Sequence, residues 1–459
     1  MKSHLPEKIY LASPVWLQNV LVSTYGAFEH RRRYSGPHKK YVEYLRKNVF
    51  LNKTEIADLQ SKLLERTLKH AAQTVPAYQA LNLGPTPKLT DFPLLERESI
   101  AMNAEAFLSS KYKKEKLITL FTGGSSASPL KIYISEEARQ KSYSFWQLFY
   151  DRMDFHVGDR KATLVGRKIQ EPDSNNPPFW RYNLKDRQLL FSSYHLSEKN
   201  VAAYLKKLNS FQPKIIEGYP LSIYRLADQI IQNSIKLSFT PTGVSTSSEN
   251  FTQKQREIIE EAFGCKVFDQ YGSAESVVFA SECEHGNMHI EPEYGVLEVL
   301  TNEGKIESEG SGELIATSLL NEAMPLIRYR IGDLGEITES NCPCGRASKI
   351  LTELYGKVGA VIINEGRQAP TAAIAIAFEY LEGIKNAQII QNEPGKVTVR
   401  LVKRTNFDSK SEEFMIWELK KMLGQSLKIS IDYVTEIPPE HNGKYCMVVQ
   451  NYYKFTVPD

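Results

Sequence analysis

The sequence predicts an α/β protein with two unequal parts: a large, multi-layer N-terminal domain with substantial parallel sheet, and a small α+β C-terminal domain. Three observations carry this expectation. From about Leu117 onward, apolar strand-like runs alternate with helical periodicity, the pattern that sets parallel strands side by side through helical crossovers. After Leu354-Tyr355-Gly356-Lys357-Val358-Gly359 the texture changes to short strands around one helix. The chain of 459 residues is also longer than one core organises, because single cores stop growing beyond roughly 250–300 residues. The expected division is 1–355 and 356–459, with two glycines at the boundary to absorb a hinge motion.

Taken in order, the first 110 or so residues read as mostly helical. Leu59, Leu63, Leu64, Leu68 and Ala71 recur at spacings of three and four. That helix stops at Val75-Pro76, and Pro85, Pro87 and Pro93 mark an irregular connection. Upstream, Leu17, Leu21 and Phe28 recur near helical spacing before His30-Arg31-Arg32-Arg33. A helix lying on a membrane surface has this make-up. So does an amphipathic helix docked on its own protein, and that is the expectation here. Strands are expected at 117–121, 162–165, 214–216 and 266–268, with a helix at 253–263 closed by Gly264 in the left-handed position. Residues 294–337 read as an appended β-rich layer. Strands at 387–390, 396–400, 427–434 and 445–449, with a helix at 412–422, make up the C-terminal unit.

Composition narrows the function classes. Hydrophobic residues at 42% and charged residues at 24% describe an ordinary folded globular chain. A net charge of +3 spread over mixed-sign segments lacks the basic footprint of a nucleic-acid binder. The start has no signal-peptide core, and no apolar run approaches the roughly 20 residues of a membrane span, so a cytoplasmic location is expected. Five cysteines argue against a disulfide framework.

Four segments carry candidate chemistry. The run Thr122-Gly123-Gly124-Ser125-Ser126-Ala127-Ser128-Pro129 follows an apolar strand and offers hydroxyls and backbone N–H groups where larger side chains would block a phosphate chain. It lacks the Gly-Lys-Ser ending of a Walker loop. Tyr271-Gly272-Ser273-Ala274-Glu275 follows a strand and could set an aromatic ring beside a base and a carboxylate on magnesium. In Arg330-Ile331-Gly332-Asp333 a carboxylate after a tight turn could take ribose hydroxyls. Lys444 sits in the polar turn Ile437-Pro438-Pro439-Glu440-His441-Asn442-Gly443-Lys444, more than 300 residues from the glycine loop. A phosphate-wrapping loop and a distant lysine that reaches it point to a two-domain nucleotide enzyme. A fifth group, Cys283 and His289 with Cys342 and Cys344, has the residue types of a four-ligand zinc set, with His285 as a competing ligand. The helix carrying Phe145 and Trp146, the Glu217-Gly218-Tyr219-Pro220 turn and Ser245-Thr246-Ser247-Ser248 are expected to line a substrate pocket, with Ser247 also a nucleotide-binding candidate. Cys265 and Cys446 are expected in the core.

In this order the four segments resemble the adenylate-forming superfamily of acyl-CoA synthetases and adenylation domains. Its phosphate loop reads roughly Thr-Ser-Gly-Ser-Thr-Gly-x-Pro, from which Gly123, Ser126 and Ala127 depart. Tyr271 to Glu275 follow its aromatic-Gly-x-Thr-Glu motif with Ala274 for threonine; Arg330 to Asp333 and Gly443-Lys444 match fully. Ser13 to Asn19, His70 to Tyr78 and Cys342-Pro343-Cys344-Gly345-Arg346 are similar to the phenylacetate-CoA ligase-like branch, especially its capsular-polysaccharide-locus members. The resemblance implies an adenylate-forming enzyme fold and a two-step reaction: ATP and a small carboxylic acid give acyl-AMP, and a nucleophile takes the acyl group. The acceptor implied is CoA, or alternatively an amine such as an amino sugar in surface polysaccharide biosynthesis. Ser125 and Ser126 would hold the leaving phosphates, Glu275 the Mg2+, Tyr271 the adenine and Asp333 the ribose. Lys444 would stand between carboxylate and α-phosphate, and a structural Zn2+ would lie away from the chemistry. The small domain would then rotate. A non-catalytic nucleotide-binding homologue would have no need of Lys444 and Glu275. The hinge departs from the usual Gly-Arg-x-Asp, appearing as Gly356-Lys357-Val358-Gly359.

Overall fold

The structure, a computed structural model, describes residues 5–122, 130–171, 174, 176–250, 252–339, 341–379, 381, 383–404, 407–438 and 444–452. The chain begins helical, with α1 (Leu5–Ala12), α2 (Val15–Tyr34), α3 (His38–Asn48), α4 (Lys53–Thr74), α5 (Pro76–Gln79) and α6 (Arg97–Met102). Helix α4 opens on a capping box in which Asn52 and Glu55 satisfy each other's backbone donors. It buries Leu68 and Ala71 and ends where Val75 turns extended ahead of Pro76.

Strands β1 (Ile118–Phe121) and β2 (Lys131–Ile134) pair antiparallel, outside the main sheet. The expected parallel strand at 117–121 is therefore half of a separate hairpin. The connection 122–130 is too short for the crossover of about a dozen residues that a parallel neighbour requires.

The α/β layer follows: α7 (Glu136–Asp151), β3 (Lys161–Val165), β4 (Trp180–Asn183), β5 (Gln188–Ser192), α8 (Glu198–Phe211), β6 (Ile215–Gly218), α9 (Pro220–Gln232), β7 (Gly243–Ser247), α10 (Gln253–Phe263) and β8 (Val267–Gly272). Strands β5, β3, β6, β7 and β8 are consecutive parallel neighbours, and β4 closes the edge antiparallel to β5. Helix α10 has the expected bounds, with a Thr252/Gln255 capping box and Gly264 at φ 67°.

Beyond β8 the same sheet continues antiparallel through β9 (Phe279–Glu282), β10 (Met288–Ile290), β11 (Gly295–Leu300), β12 (Ile306–Glu307), β13 (Gly310–Ser318), β14 (Tyr329–Thr338) and β15 (Ile350–Lys357). The order is β12-β11-β13-β14-β15-β10-β9-β8-β7-β6-β3-β5-β4. The expected separate β layer over 294–337 is instead one end of a single thirteen-stranded sheet. Strand β9 caps the open edge that β8 would otherwise present.

Two large cores among the described residues cover this sheet, beside a smaller aromatic one. One packs α8, α9 and α10 on the parallel strands through Tyr204, Leu208, Ile223, Leu226 and Ile259. The other sets Leu68, Ala71, Val75 and Phe92 against Val278, Leu314 and Ile337. Phe145 on α7 is fully buried with Phe149, Phe279 and Tyr294, so it belongs to an aromatic core and is no pocket wall. Cys265 packs half-buried against the parallel-sheet core.

Strand β15 leaves the large sheet at Lys357, where Gly356 and Gly359 take φ of 113° and 87°, a conformation that favours glycine. Beyond it come β16 (Val361–Asn364), β17 (Arg367–Pro370), α11 (Thr371–Glu379), β18 (Ile384–Glu393), β19 (Lys396–Lys403), α12 (Ser409–Leu423), β20 (Lys428–Tyr433) and β21 (Val448–Gln450). The sheet β20-β19-β18-β21 has its own core of Ile389, Val399, Leu401, Met415, Leu419 and Leu423.

Candidate active site

Strands β6, β7 and β8 run parallel, so their C-terminal ends share one edge of the sheet. Ligands of open parallel sheets gather at such an edge, where the loops leaving each strand converge. Tyr219 follows β6, Ser248 and Glu249 follow β7, and Gly272 to Glu275 end and follow β8. Three of the segments picked from sequence therefore meet.

Asp333 on β14 accepts the Tyr271 hydroxyl at Oδ2 (2.9 Å) and the Lys357 ammonium at Oδ1 (2.7 Å). Burial, with the Asp333 charge beside it, pushes the Tyr271 phenol well above its ordinary value, so it is a fixed hydrogen-bond donor. Two residues on, the Ser273 hydroxyl is buried with no hydrogen-bond partner among the described residues. A buried hydroxyl left so costs about 1–3 kcal/mol, and a nucleotide bound here would supply a partner.

Glu275 is 9% exposed. It accepts from the Tyr329 hydroxyl (3.4 Å) and faces Arg97 Nη1 at 3.8 Å. The same guanidinium donates to Thr122 Oγ1 at 3.2 Å. Arg97, at the start of α6, thus links the residue preceding the glycine loop to the carboxylate after β8. Sequence reasoning missed it, because a lone arginine opening a short helix carries no motif. Gly123, Gly124, Ser125 and Ser126 lie outside the described residues. Ser247 ends β7 with its hydroxyl 3.5 Å from that of Ser248. Arg330 donates to Glu313 (2.5–3.2 Å) and to Glu96 at 2.9 Å; those carboxylates engage it as a strut between the segment before α6 and the sheet.

Lys444 enters from the small sheet's side, its Nζ 5.8 Å from the centre of the Tyr219 ring. Its neighbour fixes the approach: the Tyr445 backbone N–H donates to Glu249 Oε1 at 3.0 Å. Arg225 on α9 donates to the Tyr445 hydroxyl and lies 4.1 Å from that ring's centre. A second tie joins Arg404, just past β19, to Asp228 on α9 at 2.9 Å. Burial raises Glu249 to about 7, against the opposing pull of the Tyr445 and Leu221 N–H groups, Lys444 and Arg225.

The cysteine group assembles as well. Ligand atoms of Cys283, His289, Cys342 and Cys344 all lie within 4.8 Å of one another. Cys283 and Cys342 sulfurs are 3.6 Å apart, and Cys344 Sγ is 3.3 Å from His289 Nε2. Thiolates bonded to zinc at about 2.3 Å stand roughly 3.8 Å apart, so the donor set fits that ion. His289 Nδ1 faces Ser348, leaving Nε2 toward the sulfurs. Burial lowers this imidazole to about 4, which leaves it neutral with a lone pair to give. His285 contributes only its backbone N–H, to Cys283 at 3.4 Å. Cys283 follows β9 beside the start of β8, so the group lies at the sheet edge opposite Gly272.

Residues 361–451 match the family model described as CapK C-terminal domain. The chain is 28% identical over 456 residues to protein CapK of Staphylococcus aureus, covering 96% of this chain and 99% of that protein. It is 28% identical over 200 residues to phenylacetate-coenzyme A ligase of Thermus thermophilus, covering 41% of this chain and 44% of that one. Among solved structures, 2-hydroxyisobutyryl-CoA ligase in the postadenylation state with R3-HIB-AMP superposes with TM-score 0.67 at 16% identity, covering 88% and 91% of the two chains. The same ligase in its thioesterification state gives 0.53. The fold is that of the adenylate-forming ligases. The similarity to CapK and to the phenylacetate-CoA ligases supports a relation to the phenylacetate-CoA ligase-like branch of that superfamily, near CapK, and close sequence and structural relatives are AMP-forming ligases.

Proposed function

We propose that this protein activates a small carboxylic acid with ATP and passes the acyl group to CoA. A carboxylate oxygen bonds to the α-phosphorus and the bond to the β-phosphate breaks, releasing pyrophosphate. The acceptor's thiol then bonds to the acyl carbon and AMP leaves. The observation that carries the reading is the convergence of Lys444 with Tyr219, Glu249 and the Tyr271–Glu275 segment at the C-terminal edge of β6, β7 and β8. A fixed ammonium there stabilises negative charge spreading over the α-phosphate oxygens. Asp333 takes the ribose hydroxyls, Tyr271 lies along the adenine, and Thr122 leads into the phosphate loop. Glu275 is the carboxylate to hold Mg2+, whose charge would offset that of the phosphates. Cys283, His289, Cys342 and Cys344 would hold a structural Zn2+, which would tie the β9–β10 turn to the β14–β15 connection. The large unit, 1–355, binds the nucleotide, and 356–459 carries the lysine and moves as a body about Gly356 and Gly359.

A second reading makes the acceptor an amine, such as an amino sugar of a surface polysaccharide. Similarity to indoleacetate–lysine synthetase of Pseudomonas savastanoi, 23% identical over 252 residues and named for joining an acid to an amine, keeps this acceptor in view. Incubating the protein with ATP, Mg2+ and a panel of acids, then adding CoA or amino sugars separately, decides between them. Thioester formation supports the first reading. Amide formation with CoA unreactive overturns it in favour of the second.

A further inference from the structure

Helix α2 is inside out. At roughly 100° per residue, Gln18, Asn19, Ser23, Gly26, Glu29 and His30 fall on one half of its circumference, and that polar half faces the protein, with Gln18, Gly26 and Glu29 buried and the other three half-buried. Asn19 accepts the Tyr182 N–H at 2.9 Å, Gln18 takes the Arg181 guanidinium, and Glu29 pairs with Arg32, Arg33 and Arg139. A Cβ on Gly26 would strike the Asn183 side chain at 2.3 Å, so the helix lies hard against β4 through its polar face. The other half is solvent-facing and apolar: Trp16 is 67% exposed, Val20 51%, Leu21 38%, Tyr25 65% and Phe28 57%. The expectation that this apolar stripe docks on the protein is reversed.

The border of the patch is cationic. Arg31 is exposed, the Arg32 guanidinium lies 5.1 Å from the Phe28 ring centre, and Lys39 and Lys40 are exposed on the next helix. The β4–β5 turn, bonded to α2 through Ser23, adds Leu184, 67% exposed, and exposed Lys185 and Arg187. The acid in that turn, Asp186, is bonded to His30 and Asn183, and the acid within α2, Glu29, is buried.

We infer that this face docks on a membrane surface rich in anionic lipid, α2 lying in the plane of the headgroups. A helix of 20 residues, about 30 Å long, would insert its aromatic and aliphatic side chains at the acyl boundary while the flanking cations meet lipid phosphate. Charge complementarity selects this occupant over a second copy: a two-fold contact sets a patch against itself, and this one offers its cations no exposed carboxylate within α2.

The test is flotation of the whole protein with vesicles of phosphatidylcholine alone or mixed with phosphatidylglycerol, at low and high salt. The parent floats with the anionic vesicles and high salt weakens it. Val20→Asp with Phe28→Asp loses binding by at least about ten-fold while melting like the parent, since both side chains are exposed. Arg31→Glu lowers it by about five-fold or more. Three outcomes would overturn the inference: no flotation above a lipid-free control, equal flotation of the double variant, or parent self-association by light scattering that the double variant abolishes.

Discussion

Asp333 holds two donors, Tyr271 at one oxygen and Lys357 at the other, and a carboxylate with about four acceptor sites keeps room for ribose hydroxyls beside them. Hydrogen bonds to a charged group are worth about 1.5–3 kcal/mol, so Asp333→Ala should raise the KM for ATP by roughly 10- to 100-fold, and steady-state kinetics would show it. Lys357→Ala should change the melting temperature little, because its side chain is 64% exposed and such pairs contribute under about 1 kcal/mol. Glu293 gives a pH prediction. It is buried, accepts from Asn48 at 2.9 Å, and burial pushes it from 4.5 up to about 7. Between those values the folded state holds a proton that the unfolded state has released, so this group's contribution to stability falls as pH rises from 4.5 to about 7 and is level above. Glu293→Gln should therefore raise the melting temperature more at pH 8 than at pH 5. At this scale Lys444, Glu275 and Asp333 could be named as candidates from sequence because each sits in a motif. Arg97 and Glu249 stayed hidden because their roles come only from distant segments meeting in space.

Among the elements, α10 was legible to the residue because its ends are chemical: Thr252 and Gln255 cap one and Gly264 closes the other. Strand β7 was not. Gly243-Val244-Ser245-Thr246-Ser247 has no apolar run and was not among the expected strands, yet it lies mid-sheet between β6 and β8, with the Thr246 hydroxyl donating to Asp269 at 2.7 Å. Helix α9 meets the lysine-bearing segment through Arg225 with Tyr445, and the end of β19 through Asp228 with Arg404. Asp228 is 7% exposed, so Arg404→Ala leaves a buried charge unpaired; a double-mutant cycle with Asp228→Asn should return a coupling of about 0.5–3 kcal/mol in thermal unfolding. A zinc held by the cysteine group would tie β9 and β10 to the β14–β15 connection. Elemental analysis should find one zinc per chain, lost in Cys344→Ser, with a fall in melting temperature of several degrees. Metal-free parent protein with an unchanged melt would contradict that assignment.

At the scale of the molecule, the α/β class and the compact C-terminal unit were legible from alternating runs and a change of texture. The continuity of one sheet across the parallel and antiparallel regions was not, because the β8–β9 pairing that joins them involves short strands of mixed composition without periodic signal. Within the described residues no helix is long and apolar enough to cross a membrane. Lys444 stands beside Tyr219 at the C-terminal edge of β6, where the first half of the proposed two-step reaction would take place. The most direct measurement compares the parent with Lys444→Ala in both half-reactions: acid-dependent pyrophosphate release from ATP, and acyl transfer from supplied acyl-AMP. The account predicts a loss of about 10²-fold or more in pyrophosphate release with transfer retained. Equal loss of both steps, or no acid-dependent pyrophosphate release by the parent with any acid, would contradict it.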